Sequence, residues 1–127
     1  MAERTGIPEL DRLLDSFLVE YGALVSPLRD PRRAYDQCGN VSHWLSTFLR
    51  VGGCEAGYRP YAPQALGYED APGVEGLTPF DDHVVCFVCA PDEAKTIFAV
   101  DFTAAQFGYT EFPLVQRLLD GVWQRSW

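Results

Sequence analysis

Three side chains in this sequence have the types that nucleophilic catalysis requires: Cys38, His83 and Asp101. A cysteine attacks a carbonyl carbon as its thiolate, and a helix N-terminus or a neighbouring imidazolium lowers the pKa of the thiol. A histidine can supply that imidazolium, and a carboxylate can hold the histidine ring in one orientation. The three residues could therefore serve as nucleophile, base and orienting acid if the fold brings them together.

Cys38 stands at the predicted start of a helix. The apolar residues that follow it recur with the spacing of one helix face: Val41, Trp44, Leu45, Phe48 and Leu49. Cys38 lies outside that face, so a buried structural cysteine is the weaker interpretation. Gly39 would let a substrate approach the thiol closely, and Gly52-Gly53 predicts the end of the helix.

The base must come from elsewhere in the chain, which contains two histidines. His43 lies on the same predicted helix as Cys38 but points away from it, which favours a solvent-facing or supporting role. His83 opens a strand predicted over His83–Ala90, at a boundary between strand and loop where active-site residues are common. The alternative for His83 is an ordinary histidine at a strand end.

Asp101 interrupts the apolar run of a second strand, predicted over Lys95–Phe102. A buried carboxylate is unfavourable unless it is paired. If the hairpin turn is Pro91–Glu93, His83 lies directly opposite Asp101, and the carboxylate can accept the imidazole Nδ1–H. A shift of one residue would place the two side chains on opposite faces of the sheet.

The rest of the chain predicts the elements that position these residues. A first amphipathic helix is expected over Pro8–Val25, followed by an irregular connection over Ser26–Gln37. An amphipathic segment is expected last, over Phe112–Trp123. Between them, a long loop with a short strand near Gln64–Tyr68 is expected over Arg59–Asp82. Loops as long as the one expected over Arg59–Asp82 are often functional in compact domains. The fold class expected is α+β, with N-terminal helices on a small antiparallel sheet in a single domain over residues 1–127.

The order Cys, His, Asp, with the cysteine opening a helix, resembles the papain-like and transglutaminase-like superfamily of cysteine hydrolases. The segment Asp36-Gln-Cys-Gly-Asn-Val-Ser42 resembles the nucleophile segment of small bacterial members. The segment Ala99–Phe107, followed by Phe112-Pro113, resembles the corresponding part of papain-fold domains in bacterial polymorphic toxins. The likeness covers roughly Asp36 to Pro113.

This resemblance implies that Cys38 is the nucleophile, His83 the general base and acid, and Asp101 the orienting acid. Two positions depart from the family pattern: Val84 replaces an aromatic residue that often follows the histidine, and Gln37 directly precedes the cysteine instead of standing several residues before it. Candidate second donors to the oxyanion are Gln37, Asn40 and Gln106. For Gln106 the alternative is a structural bridge after the strand.

The resemblance further implies a thiol protease, a glutamine deamidase or a transglutaminase-like acyl transferase, without a cofactor. A toxin or effector domain with a dedicated inhibitor (immunity) protein is one setting that it implies, and a housekeeping peptidase is another. A rival interpretation is an inactive papain-fold module that binds a basic protein.

Cys86 and Cys89 form a C-x-x-C pair, which raises the alternative of a zinc site. Both lie in the predicted strand, where residues three apart point to opposite faces, so burial of the two thiols is favoured over metal binding. No metal ligand is therefore assigned.

The chain carries 18 acidic and 10 basic residues, a net charge of −8. This balance argues against nucleic acid and against an anionic membrane surface as partners. The expected substrate is a protein or peptide, because hydrolysis of a peptide or glutamine side-chain amide needs no second substrate site. The N-terminus lacks the pattern of a secretory signal, which predicts a cytoplasmic protein or an effector delivered without a signal peptide.

Overall fold

The computed structural model describes residues 4–78 and 82–125, and these form an α+β domain. The helices are α1 (Pro8–Glu20), α2 (Gly22–Val25), α3 (Pro31–Ala34) and α4 (Cys38–Val51). The strands are β1 (Glu55–Tyr61), β2 (His83–Cys89), β3 (Ile97–Asp101), β4 (Leu114–Leu119) and β5 (Val122–Arg125). Across this part of the chain, no helix has the length and apolar character that crossing a membrane requires.

The strands form one antiparallel sheet in which each strand pairs with the next, in the order β1-β2-β3-β4-β5. Helix α4 packs against β1 and β2, and its buried leucines share a core with Cys86 and Val88 of β2. Val85, the neighbour of Cys86 in β2, lies in a second apolar cluster with Leu66, Tyr68 and Phe107. Because successive strand residues face opposite sides, this second cluster covers the other face of the sheet.

The predicted helix at Cys38 is confirmed, because α4 begins at that residue and ends before Gly52. The first helix is shorter than predicted. It ends at Glu20, and a separate turn of helix follows over Gly22–Val25. The break lies at Tyr21, whose backbone (φ −106°, ψ 11°) leaves the helix, next to Gly22, a residue of low helix propensity.

The strand predicted near Gln64–Tyr68 is wrong. Residues Pro63–Leu66 and Tyr68–Asp70 form 3₁₀ turns, with Gly67 between them at a φ of 76°. Proline cannot donate to a strand ladder, and the left-handed backbone at Gly67 reverses the chain. The strand that does form on this side, β1, was not predicted because its Gly57 and Pro60 weaken the strand pattern.

The predicted hairpin of β2 and β3 is present, but its register differs by two residues. Cys89 lies opposite Ile97, and Ala90 donates its N–H to Thr96 at 2.8 Å. The connection is longer than predicted because Asp92 accepts backbone N–H groups of Lys95 and Thr96. A shift of two residues keeps every side chain on its predicted face, so His83 lies diagonal to Asp101 on the same side.

The last amphipathic segment, Phe112–Trp123, forms the strand β4 and the start of β5, joined at Asp120-Gly121. The sheet curves strongly enough that the ring of Tyr61 in β1 contacts the ring of Trp123 in β5, with centroids 6.2 Å apart. These two strands are the edges of the sheet. The concave side holds the connection between β1 and β2.

Candidate active site

Cys38 is the first residue of α4, and its thiol is half-buried. Asp36, two residues earlier, has a φ of 68°, and this left-handed backbone turns the chain into the helix. The first backbone hydrogen bond of the helix runs from Val41 to Gln37 at 3.1 Å. The N–H groups of the preceding helical residues have no partner within the helix, so the positive end of the helix dipole faces the thiol.

His83 opens β2 and is 2% exposed. Its Nε2 lies 2.7 Å from Oδ2 of Asp101. The prediction that Nδ1 would bond the carboxylate is therefore wrong. Nδ1 is the ring nitrogen that this bond leaves free of the carboxylate.

One hydrogen bond joins α4 to β2 close to Cys38 and His83. Ser42 Oγ, one turn after Cys38, donates to the carbonyl of Val84 at 3.2 Å. The thiol of Cys38 itself interacts with the side chain of His83 and with the backbone of Val84. The structure thus brings all three predicted residues together, from α4, β2 and β3.

Asp101 is 3% exposed and accepts four hydrogen bonds. Oδ2 accepts from His83 and from the Tyr68 hydroxyl at 2.8 Å. Oδ1 accepts the backbone N–H of Thr103 at 2.8 Å and its hydroxyl at 3.0 Å. These bonds match the roughly four lone-pair sites of an ionised carboxylate, so the buried charge is fully satisfied.

The pKa shifts of Cys38, His83 and Asp101 each favour the charged form of the group. Burial alone would raise the pKa of Cys38, but the hydrogen bond of His83, the Val84 backbone and the charge of His83 lower it. Burial would lower the pKa of His83, but Asp101 and then Cys38 outweigh burial and raise it to about 10. Burial also opposes the charge on Asp101, whose pKa is nevertheless lowered, chiefly by His83. These directions favour a thiolate beside an imidazolium over an uncharged thiol and imidazole, relative to the isolated groups.

The candidate oxyanion side chains divide into two groups. Asn40 donates to Oε1 of Gln37 at 3.2 Å, and both residues flank the thiol at the start of α4. Gln106 is 3% exposed and donates to the carbonyl of Thr103 at 3.0 Å. This contact supports the structural alternative for Gln106, because its amide N–H is directed at the backbone after β3.

The other histidine and the remaining cysteines lie apart from this constellation. His43 is exposed and its ring contacts Tyr58. Cys86 is buried in the core with a pKa raised to about 12 by burial, and Cys89 lies on the opposite face of β2. Within residues 4–78 and 82–125, no three His, Cys, Asp or Glu side chains are grouped as a metal site would require.

Sequence reasoning missed Tyr68 and Thr103. A buried carboxylate needs more donors than one imidazole can supply, and the threonine two residues after Asp101 was a local signal for a second donor. Tyr68 had no such signal, because it lies in the connection between β1 and β2, 33 residues before Asp101.

That connection is held against the rest of the domain. Arg32 and Tyr35, in and just after α3, donate to the carbonyls of Glu75 and Thr78 at 3.3 and 2.9 Å. Gly73 donates its N–H to Phe107 at 2.8 Å. The connection between β1 and β2 is therefore anchored to the segment that leads into Cys38 and to the turn after β3.

Comparisons of this chain with protein-family models, with curated proteins and with solved structures find no match.

Proposed function

We propose that this protein is a cysteine hydrolase that cleaves an amide or acyl bond through Cys38, His83 and Asp101. The observation that carries the proposal is the buried His83–Asp101 pair, 2.7 Å long, beside a thiol at a helix N-terminus. A structural cysteine needs neither an imidazolium nor a helix dipole. Each of these activates a cysteine as an acyl-transfer nucleophile.

In the proposed reaction the Cys38 thiolate attacks the carbonyl carbon, and its electron pair forms the C–S bond. The oxyanion that develops lies near the unpaired N–H groups at the start of α4, which favour negative charge. His83 then gives its proton to the leaving nitrogen as the C–N bond breaks, which leaves a thioester on Cys38. Water, deprotonated by His83, attacks the thioester carbon; the C–S bond then breaks, the carboxylic acid leaves, and the Cys38 thiolate is restored beside the His83 imidazolium.

The acceptor and the position of the amide decide the outcome. Water acting on a main-chain amide gives proteolysis, and water acting on a glutamine side chain gives deamidation. An amine in place of water gives transfer. Hydrolysis of a peptide or a glutamine side chain is favoured because it needs no second substrate site.

Iodoacetamide labelling at pH 6, followed by mass spectrometry, tests the nucleophile. An ordinary thiol is only about 0.3% ionised at this pH, whereas a thiolate paired with imidazolium stays reactive. We expect Cys38 to react at least about tenfold faster than Cys54, Cys86 and Cys89. Burial raises the pKa of Cys54 and of Cys86 and suppresses their reaction.

The matched control is Asp101→Asn, which keeps the shape of the side chain and removes its charge. The fast labelling of Cys38 should fall toward the rates of the other cysteines in that variant. Equal labelling of all four cysteines in the wild type would contradict the proposal and favour the inactive binding module.

The substrate is sought by comparing proteomes of cells that express the wild type or Cys38→Ser. Cleaved, deamidated or crosslinked proteins should appear with the wild type alone. A basic partner captured equally by both forms, with no modified protein, would indicate the binding module.

A further inference from the structure

Tyr68 contributes a second donor to the oxygen that holds His83. Its hydroxyl lies 2.8 Å from Oδ2 of Asp101, and the imidazole Nε2 lies 2.7 Å from the same atom. Thr103 occupies the other oxygen with two bonds and fixes the plane of the carboxylate. Tyr68 and His83 therefore share Oδ2 of Asp101, while Thr103 orients the carboxylate through Oδ1.

The hydroxyl of Tyr68 is held as a donor. The side chain is 5% exposed, and its ring packs against Phe107 and Tyr109 with centroids 5.1 and 5.2 Å away. Burial and then the charge of Asp101 raise the pKa of Tyr68 well above its usual value. The phenol thus keeps its proton throughout the working range of the site and directs it at the carboxylate.

We propose that Tyr68 is a positioning residue of the triad: by donating to Oδ2 it spreads the charge of Asp101 over two donors and limits how tightly His83 holds its proton. This inference rests on the proposed function, in which His83 must release that proton to the leaving nitrogen. An imidazolium held too tightly is a poor general acid. Removing the hydroxyl leaves Oδ2 with His83 as its donor and strengthens the attraction between the carboxylate and the imidazolium.

The groups that face His83 come from three elements. They are the Cys38 thiol from α4, the Asp101 carboxylate from β3 and the Tyr68 hydroxyl from the connection, while Phe107 closes the pocket with an apolar ring 4.8 Å away. Tyr109 contacts Tyr68 and has no hydrogen bond to Asp101 among the described contacts. Tyr109→Phe is therefore a matched control that removes a neighbouring hydroxyl.

The test is ¹⁵N NMR of the His83 ring at pH 10, where about half of the wild-type imidazole carries both protons if its pKa is about 10. The other histidine, His43, is assigned with His43→Asn. In Tyr68→Phe the midpoint should rise by up to about one pH unit, because only the part of the charged hydrogen bond that depends on the charge of His83 shifts its pKa, so that more than half and up to roughly nine-tenths of His83 is protonated at pH 10. Tyr109→Phe should match the wild type.

A Tyr68→Phe midpoint equal to or below that of the wild type would overturn the inference, as would an equal rise in Tyr109→Phe. If Tyr68→Phe does not fold, 3-fluorotyrosine at position 68 keeps the ring and donates more strongly, so protonation at pH 10 should fall. No change with that analogue would also overturn the inference. Failure of the proposed function is distinguished by iodoacetamide labelling of wild-type Cys38, which does not depend on Tyr68.

Discussion

Asp101 is a buried carboxylate whose charge affects the groups around it. Its oxygens accept from His83, Tyr68 and Thr103, and its charge is what raises the pKa of His83 against the effect of burial. Breaking such a pair by removing one partner typically costs about 3–5 kcal/mol. The charge distribution of the site therefore also contributes to the stability of the fold.

At the residue scale, pH-dependent stability tests whether Cys38 and His83 form an ion pair. The folded pKa of His83 is raised, so its contribution to stability is full below pH 6.5 and is lost as pH rises toward 10. The folded pKa of Cys38 is lowered, so its contribution is full above pH 9 and is lost as pH falls. Between the lowered pKa of Cys38 and pH 9 these slopes have opposite signs and offset each other in the wild type.

Cys38→Ser should remove that cancellation. The variant loses the cysteine contribution and keeps the part of the His83 contribution that Asp101 supplies, so its free energy of unfolding should fall relative to the wild type as pH rises from 7 to 9, by at most about 1 kcal/mol per pH unit. Urea unfolding of both proteins at pH 7, 8 and 9 measures the difference. Groups other than the pair contribute equally to both curves. A difference that does not vary with pH would exclude the ion pair.

At this scale the sequence predicted which residues meet and missed how they meet. A carboxylate inside an apolar strand is unfavourable without a partner. The alternation of side chains along the two strands predicted that His83 lies on the same face of the sheet as Asp101. The bond through Nε2 instead of Nδ1 depends on the orientation of the imidazole ring, and the donation by Tyr68 depends on a contact between residues 33 positions apart. Neither is encoded in local spacing.

At the scale of elements, the helix of Cys38 was predictable and the first strand was not. Helix α4 has a strong apolar face and a glycine stop, both of which are local signals. Strand β1 is an edge strand with most of its residues exposed and with Pro60 inside it. It forms because seven residues pair with β2, an interaction that closes a long connection.

Gly108→Ala should detach that connection from the turn after β3. A Cβ at Gly108 would lie 2.5 Å from the carbonyl oxygen of Gly73, and the φ of +91° disfavours any L side chain. We expect a loss of about 2 kcal/mol or more in the free energy of unfolding, since crowding adds to backbone strain. Urea unfolding measures the loss, and limited proteolysis should cut more readily near residues 74–77.

The matched control is Gly121→Ala, at a φ of +77° with open space around the added Cβ. It carries the backbone strain without the crowding, so the difference between the two variants isolates the close approach of Gly73. Equal losses in both would show that the connection is not held there.

At the scale of the whole molecule, the two faces of the sheet have different roles. Helix α4 brings the thiol from one face, while the connection brings Tyr68 from the other. His83 stands at the end of β2, where the two layers meet. The curvature that brings Tyr61 against Trp123 was not predictable, because it joins the first strand to the last.

The turn at Val74–Leu77, closed by a hydrogen bond of 3.1 Å, divides the site between two parts of the chain. Cys38 and Tyr68 precede it, and His83 and Asp101 follow it. A break between Glu75 and Gly76, both exposed, would cut no strand and no helix. The domain is therefore suited to fragment complementation, in which neither piece alone contains a thiol and its base.

We expect the two pieces, residues 1–75 and 76–127, to reassociate through the β1–β2 ladder and the core beneath α4. Fast iodoacetamide labelling of Cys38 at pH 6 should return when the pieces are mixed and be absent from the first piece alone. Fast labelling of that piece by itself would show that the helix, without His83, activates the thiol. Reactivity of one cysteine would then report the encounter of two chains, which makes this turn a place to split the protein into a sensor of proximity.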